Sequence, residues 1–161
     1  MKYPEWWQRL LAGLIDGVIL AIVMFIISAM FGALAGYNLS VLRVMLLLAA
    51  IINTGLVVGY KVFFEGSAMQ ATPGKMVFGL KVVDAGGNRA DLKSVIMRTW
   101  PWWLNLLNIV GALLLVNFIG FLVALIIIGI FCTFFMPPLG RCIHDQTADL
   151  HVIKAGKGMI A

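Results

Sequence analysis

Polar residues are sparse in the first part of the chain, and their positions divide it. Residues 10–34 carry one ionisable side chain, Asp16, and residues 41–64 form a second apolar run with Arg43 near its start and Lys61 near its end. Both runs are long enough to span a membrane, because about 20 helical residues cross a hydrocarbon core roughly 30 Å thick. The short link Ala35-Gly36-Tyr37-Asn38-Leu39-Ser40 suits an antiparallel helical hairpin. Residues 65–99 are the only substantial polar region. Within it Ala71-Thr72-Pro73-Gly74-Lys75 reads as a turn and Met76–Asp84 as a strand, ended by the turn signal Ala85-Gly86-Gly87-Asn88. Asp91 is placed to N-cap a short amphipathic helix over Leu92–Thr99, whose Lys93 and Arg98 suit a headgroup zone.

Residues 100–136 are too many for one span and barely enough for two. A break near Asn117-Phe118-Ile119-Gly120 divides them into spans of about 101–117 and 119–136. The tail contains Asp149-Leu150-His151-Val152-Ile153-Lys154, a partner strand for Met76–Asp84. Paired strands lie on one side of the membrane, so the chain between them crosses an even number of times. The expected fold is an all-α membrane protein: a four-helix transmembrane bundle with a small cytoplasmic two-stranded β unit. It forms a single domain over 1–161, with cytoplasmic segments at 65–99 and 137–161. The alternative is three spans, with residues 100–136 split between an interfacial helix and one long tilted span.

Composition supports the membrane reading. Hydrophobic residues make up 62% of the 161 positions and charged residues 12%, with a mean hydropathy of +1.02; a soluble domain of this length needs more surface charge. Of twelve Lys and Arg, only Arg43 lies outside the N-terminus, residues 61–98 and the tail after 140, which places those three regions in the cytoplasm. All five tryptophans, Trp6, Trp7, Trp100, Trp102 and Trp103, fall at the cytoplasmic ends of spans one and three, where an amphipathic ring is favoured. Ala33-Leu34-Ala35 resembles a cleavage site, but the run before it is too long for a secretory core and is read as an uncleaved first span.

Several chemistries find no support. Cys132 and Cys142 lack metal-ligand or disulfide-framework spacing, and His144 and His151 have no matching ligands, so no metal is expected. Gly74-Lys75 lacks the remaining residues of a phosphate-binding loop. No nucleophile–base constellation is present, so neither an enzyme nor a cofactor is expected. The basic residues Lys61, Lys75, Lys81, Lys93 and Arg98 are read as facing anionic membrane lipids rather than nucleic acid.

Asp16 carries the sharpest expectation. An acid at the centre of a spanning helix costs about 2.5–3.5 kcal/mol, so it normally faces a partner or a wet path. Arg9 shares its face but lies roughly 10 Å away and leans toward the N-terminus. The expected partner of Arg9 is therefore Glu5 or Asp145. Gly13 and Gly17 bracket Asp16, and Gly55 and Gly59 offer a counterpart on span two, which suggests a close helix–helix seam. Asn53 and Thr54, Asn105 and Asn108, and Cys132-Thr133 are expected near the same depth. Such a layer supplies oxygen ligands for a monovalent cation or partners for a protonated acid, although Asn53 points away from Gly55 and Gly59. For Asp145 two readings stand, an ion entrance or an ion pair tying the tail to the first helix.

Three blocks together resemble the RDD family of small, mainly bacterial membrane proteins. They are Arg9 with Asp16, Thr72-Pro73-Gly74-Lys75 followed by Gly79-Leu80-Lys81-Val82-Val83-Asp84, and Ile143-His144-Asp145. The resemblance covers about Trp6 to Val152 and makes Arg9, Asp16 and Asp145 the namesake residues. Leu150 departs from it, standing where the family usually has a threonine. The resemblance implies a bacterial inner (plasma) membrane protein with a function in cation/proton (Na⁺/H⁺-type) antiport, and the Lys and Arg distribution puts both its termini in the cytoplasm. Asp16 would then exchange a proton for a monovalent cation in a pathway built by a homo-oligomer. The alternative is a non-transporting membrane scaffold or accessory subunit that docks a partner protein.

Overall fold

A computed structural model of the chain describes residues 2–107, 118–133 and 141–155. Two long helices dominate it, α1 (Trp6–Ala35) and α2 (Leu39–Gly66). The hairpin between them forms because Gly36 takes a left-handed φ of 55° as α1 ends. Asn38 then caps α2 by accepting from the backbone N–H groups of Ser40 and Val41 at 3.0 and 3.1 Å. Both helices are long and apolar enough to cross a membrane, and most of each remains exposed. The core helix of a soluble protein would be mostly buried. Phe25 and Leu34, both more than two-thirds exposed, instead need an apolar solvent.

The face of α1 that does pack is narrow. Gln8, Ala12, Asp16 and Leu20 are buried, and their spacing of four places them in one row. That row meets α2 and a short helix, α3 (Pro73–Val77).

Helix α3 corrects the expected turn and the start of the expected strand. Thr72 is its N-cap and Pro73 occupies the first helical position, where its missing N–H carries no cost. Lys75, Met76 and Val77 are therefore helical. The strand begins only after Gly79, whose φ of 63° redirects the backbone. Strand β1 (Leu80–Asp84) pairs antiparallel with β2 (Leu150–Lys154), with Val82 opposite Val152. The expected partnership of these segments holds.

Alternate residues of the two strands supply one apolar face. Leu80, Val82, Leu150 and Val152 form a core with Val95, Ala90, Ala148 and, from the first long helix, Ala12. Leu150 is thus a core residue. Val95 comes from α4 (Leu92–Arg98), which Asp91 caps as expected by accepting from Lys93 N at 3.2 Å. After Thr99 come α5 (Trp100–Trp103) and a 3₁₀ turn over Leu104–Leu106.

Helix α6 (Phe118–Cys132) covers most of the expected fourth span, and α7 (Ile143–Thr147) precedes β2. Of the expected third span, residues 108–117 lie outside the described residues. Among the described residues the structure therefore shows a mostly helical chain with two membrane-capable helices and a small two-stranded sheet; the expected third span falls largely outside them.

Candidate functional site

The TPG segment folds directly against the acid of the first helix. Asp16 is buried, and its Oδ1 accepts from the Tyr60 hydroxyl at 2.7 Å and the Gly74 backbone N–H at 2.8 Å. Its Oδ2 accepts from the Thr72 hydroxyl at 2.5 Å. The first turn of a helix leaves backbone N–H groups without intrahelical partners. Asp16 satisfies one of them from another element and so caps α3 in place of the Thr72 side chain, which makes no capping bond itself. The approach is close enough to require glycine: a Cβ on Gly74 would lie 2.1 Å from the Ala12 carbonyl oxygen and 2.9 Å from Asp16 Cγ.

Beside this contact lies a chain of buried charges drawn from five helices. Arg9 of α1 bonds Asp145 of α7, which no solvent reaches. The other Asp145 oxygen accepts from Arg98 Nε of α4 at 2.6 Å. Arg98 also reaches Glu65 of α2 through Nη1 at 2.6 Å, and Glu65 takes Lys75 Nζ of α3 at 2.5 Å. The sequence Arg9–Asp145–Arg98–Glu65–Lys75 places each carboxylate between two cations. Lys61 adds a further positive charge, its Nζ 4.7 Å from the Trp102 ring centroid.

Burial raises the Asp145 carboxyl, but Arg98 and Arg9 overcome this and hold it well below the usual range. Burial likewise opposes charge on Arg98, yet Asp145 and Glu65 raise it above its ordinary value. Lys75 is pulled down to about 8 by burial and by Arg98, against the opposing pull of Glu65. His144, buried with Nε2 3.3 Å from Asp145 Oδ1, is pushed down to about 3 by desolvation and is neutral at physiological pH.

The arrangement joins the RDD-type blocks in one place, and the comparisons agree. The model of the RDD family matches residues 3–149.

This chain belongs to the RDD family.

It is also 32% identical over 118 residues to the uncharacterized protein YxaI of Bacillus subtilis, an alignment covering 65% of this chain and 78% of that protein. No solved structure matches the chain. In this RDD protein Arg9 and Asp145 are direct partners, which decides between the two expected for Arg9; Glu5 accepts instead from Trp7 Nε1. Asp16 belongs to the adjoining contact and not to that ion pair.

Of the expected polar layer, Asn53 and Thr54 have partners other than Asp16. Asn53 Nδ2 donates to Ser28 Oγ at 3.0 Å, and the Thr54 hydroxyl returns to the Ala50 carbonyl within its own helix at 2.9 Å. Helix α2 continues to Gly66, so the level of Asp16 meets Tyr60, and Asn53 lies seven residues, roughly 10 Å, beyond it. The Asn105 side chain and Asn108 lie outside the described residues. Thr133 donates to the Ile130 carbonyl and accepts from Ile143 N.

The glycine seam is also corrected. Gly13, Gly17, Gly55 and Gly59 are exposed, and among the described residues a Cβ at any of them would meet nothing within 4 Å. Asp16 is enclosed by α3 rather than by a close helix crossing. Lys75 and Arg98, expected to face lipid headgroups, are instead held in ion pairs with Glu65 and Asp145.

Tyr60, Thr72, Gly74 and Glu65 complete the site without having been singled out for it. Glu65 carried a signal, a lone acid closing an apolar run. The other three donate or pack through groups common to many loops and helices. Cys142, His144 and Asp145 offer ligand atoms within 4.8 Å of one another. Their chemistry does not suit a metal: two guanidiniums neutralise Asp145, and burial pushes the Cys142 thiol up, away from the thiolate a metal takes.

Proposed function

We propose that this RDD protein is a non-transporting membrane scaffold or accessory subunit, in which Asp16 and the charge cluster fasten a small cytoplasmic unit to a helical hairpin. The observation that carries this reading is the environment of Asp16. Three donors from its own chain occupy its oxygens, and one of them is the backbone N–H of a helix end. A cation at Asp16 would compete with those donors, and displacing the Gly74 N–H would leave a buried donor unsatisfied, at a cost of about 1–3 kcal/mol. A carboxylate bound this way serves as a fastening. The cluster acts in the same direction, because a buried charge pair is costly to break once formed.

Proteoliposomes containing the purified protein test the reading through cation-dependent proton flux. The expected outcome is no flux from wild type, together with lower abundance and thermal stability for Asp16→Asn. Robust cation-dependent proton flux from wild type would overturn it.

One observation favours the second reading, Na⁺/H⁺-type antiport by a homo-oligomer. Lys75, lowered to about 8 by burial and by Arg98, is ion-paired with Glu65 at the end of α2. In that reading flux depends on Lys75 and Glu65 more than on Asn53 or Thr54. Both readings carry the same placement: a multi-pass protein of the bacterial inner membrane with cytoplasmic termini, consistent with the pairing of β1 with β2.

A further inference from the structure

Helix α4 and the segment after it bury one face and expose the other, and the exposed face is not polar. Val95, Arg98, Thr99 and Pro101 are buried, packed toward α2, α7 and β2. Leu92, Ile96, Trp100, Trp103 and Leu107 are exposed, at 55%, 43%, 36%, 46% and 45%. Their spacing of three or four sets an exposed apolar residue at each turn through α4, α5 and the turn that follows, an apolar stripe along the segment. Lys93 is exposed beside the start of this stripe.

The start of the stripe meets the cytoplasmic end of α2 in the proposed topology. Leu92 lies against the end of α2, where its Cδ1 would be 3.3 Å from a Cβ placed on Gly66. Trp100 lies apolar side out with its Nε1 donating to the Thr147 hydroxyl at 3.2 Å. An exposed indole body with a bonded N–H, a flanking lysine and an apolar stripe are the chemistry of the bilayer interface.

We propose that residues 92–107 form an in-plane anchor whose Leu92–Leu107 stripe is seated in the headgroup–acyl boundary of the leaflet that α2 enters. The charge cluster then lies directly beneath the anchor, with Arg98 and Thr99 on the inner side of the same segment. The anchor depends on the protein being in a membrane and holds whether or not the protein transports.

Nitroxide labels on the full chain reconstituted in phosphatidylethanolamine/phosphatidylglycerol vesicles test this, in a Cys132→Ala, Cys142→Ser background. A label at Ile96→Cys is expected to be several-fold more accessible to oxygen than to a water-soluble nickel complex. A label at Asn88→Cys, in the exposed turn after β1, is expected to show the reverse. Equal access of the nickel complex to both positions overturns the proposal. So does spectral broadening at Ile96→Cys that disappears on dilution with unlabelled protein, which would make a second copy the occupant. Should the labelled variants fail to fold, tryptophan quenching by lipids brominated near the headgroup decides. Trp100→Phe/Trp103→Phe is expected to lose a clear share of the wild-type quenching, and unchanged quenching overturns the anchor.

Discussion

Two aspartates of this protein, Asp16 and Asp145, are both buried and are satisfied in opposite ways. Asp16 is held by neutral donors: two hydroxyls and one backbone N–H. Asp145 is held by two guanidiniums and lies beside a neutral imidazole. The neutral contact positions one short helix against one long one. The charged contact joins α1, α4 and α7 and continues through Arg98 to Glu65 and α3. Neutral bonds fix geometry locally, whereas a chain of charges makes distant elements mutually dependent, because removing one member strands the rest.

That contrast can be broken most forcefully at Asp145. Asp145→Ala leaves Arg9 and Arg98 facing each other without their shared anion. It is expected to cost about 3–5 kcal/mol, read as a large fall in the temperature at which detergent-solubilised protein loses its monodisperse elution peak. Gly74→Ala attacks the neutral contact sterically. Its Cβ collides with the Ala12 carbonyl, so α3 must move away, at about 3 kcal/mol in the same assay. Asp16→Asn keeps the shape and removes the charge, and is expected to cost about 2 kcal/mol through weaker bonds to Thr72 and Gly74. Should Asp16→Asn prove more damaging than Asp145→Ala, the ranking of the two contacts is wrong.

Acid separates the two contacts more gently. The folded protein keeps His144 neutral down to about pH 3, whereas the unfolded chain protonates it near 6.5. Between those values the unfolded state binds more protons, so stability falls as pH is lowered through that window. The expected loss is about 1 kcal/mol over the first unit below pH 6.5, and His144→Gln should flatten the slope. The smallest effect is expected at the glycines. Gly13→Ala meets nothing and gains helix propensity, so it should be neutral or stabilising by up to about 1 kcal/mol. Marked destabilisation there would restore the close helix seam.

Periodicity and run length were enough for the hairpin, the Asp91 cap and the pairing of the two strands. Each depends on local chemistry or a two-residue alternation that side-chain identity displays directly. The Arg9–Asp145 pair was legible only as one of two, because an arginine at the foot of a span needs an anion and both Glu5 and Asp145 were available. The strand start was misplaced because Met76 and Val77 have the composition of a strand, while Pro73 at a helix start and Gly79 at positive φ override it.

By itself, then, the sequence determined that this is a membrane protein with an acid in its first long helix and a small polar unit beside it. Hydropathy is a sum over neighbours, and a sum survives without knowledge of the fold. Only the tertiary structure decided what the acid touches. Asp16 meets Thr72 and Gly74, which lie more than fifty residues away in the chain, and a hydrogen bond depends on position and direction that composition does not carry. The same holds for Arg98 and Lys75, whose charges suggest a wet surface until the fold closes Glu65 and Asp145 around them.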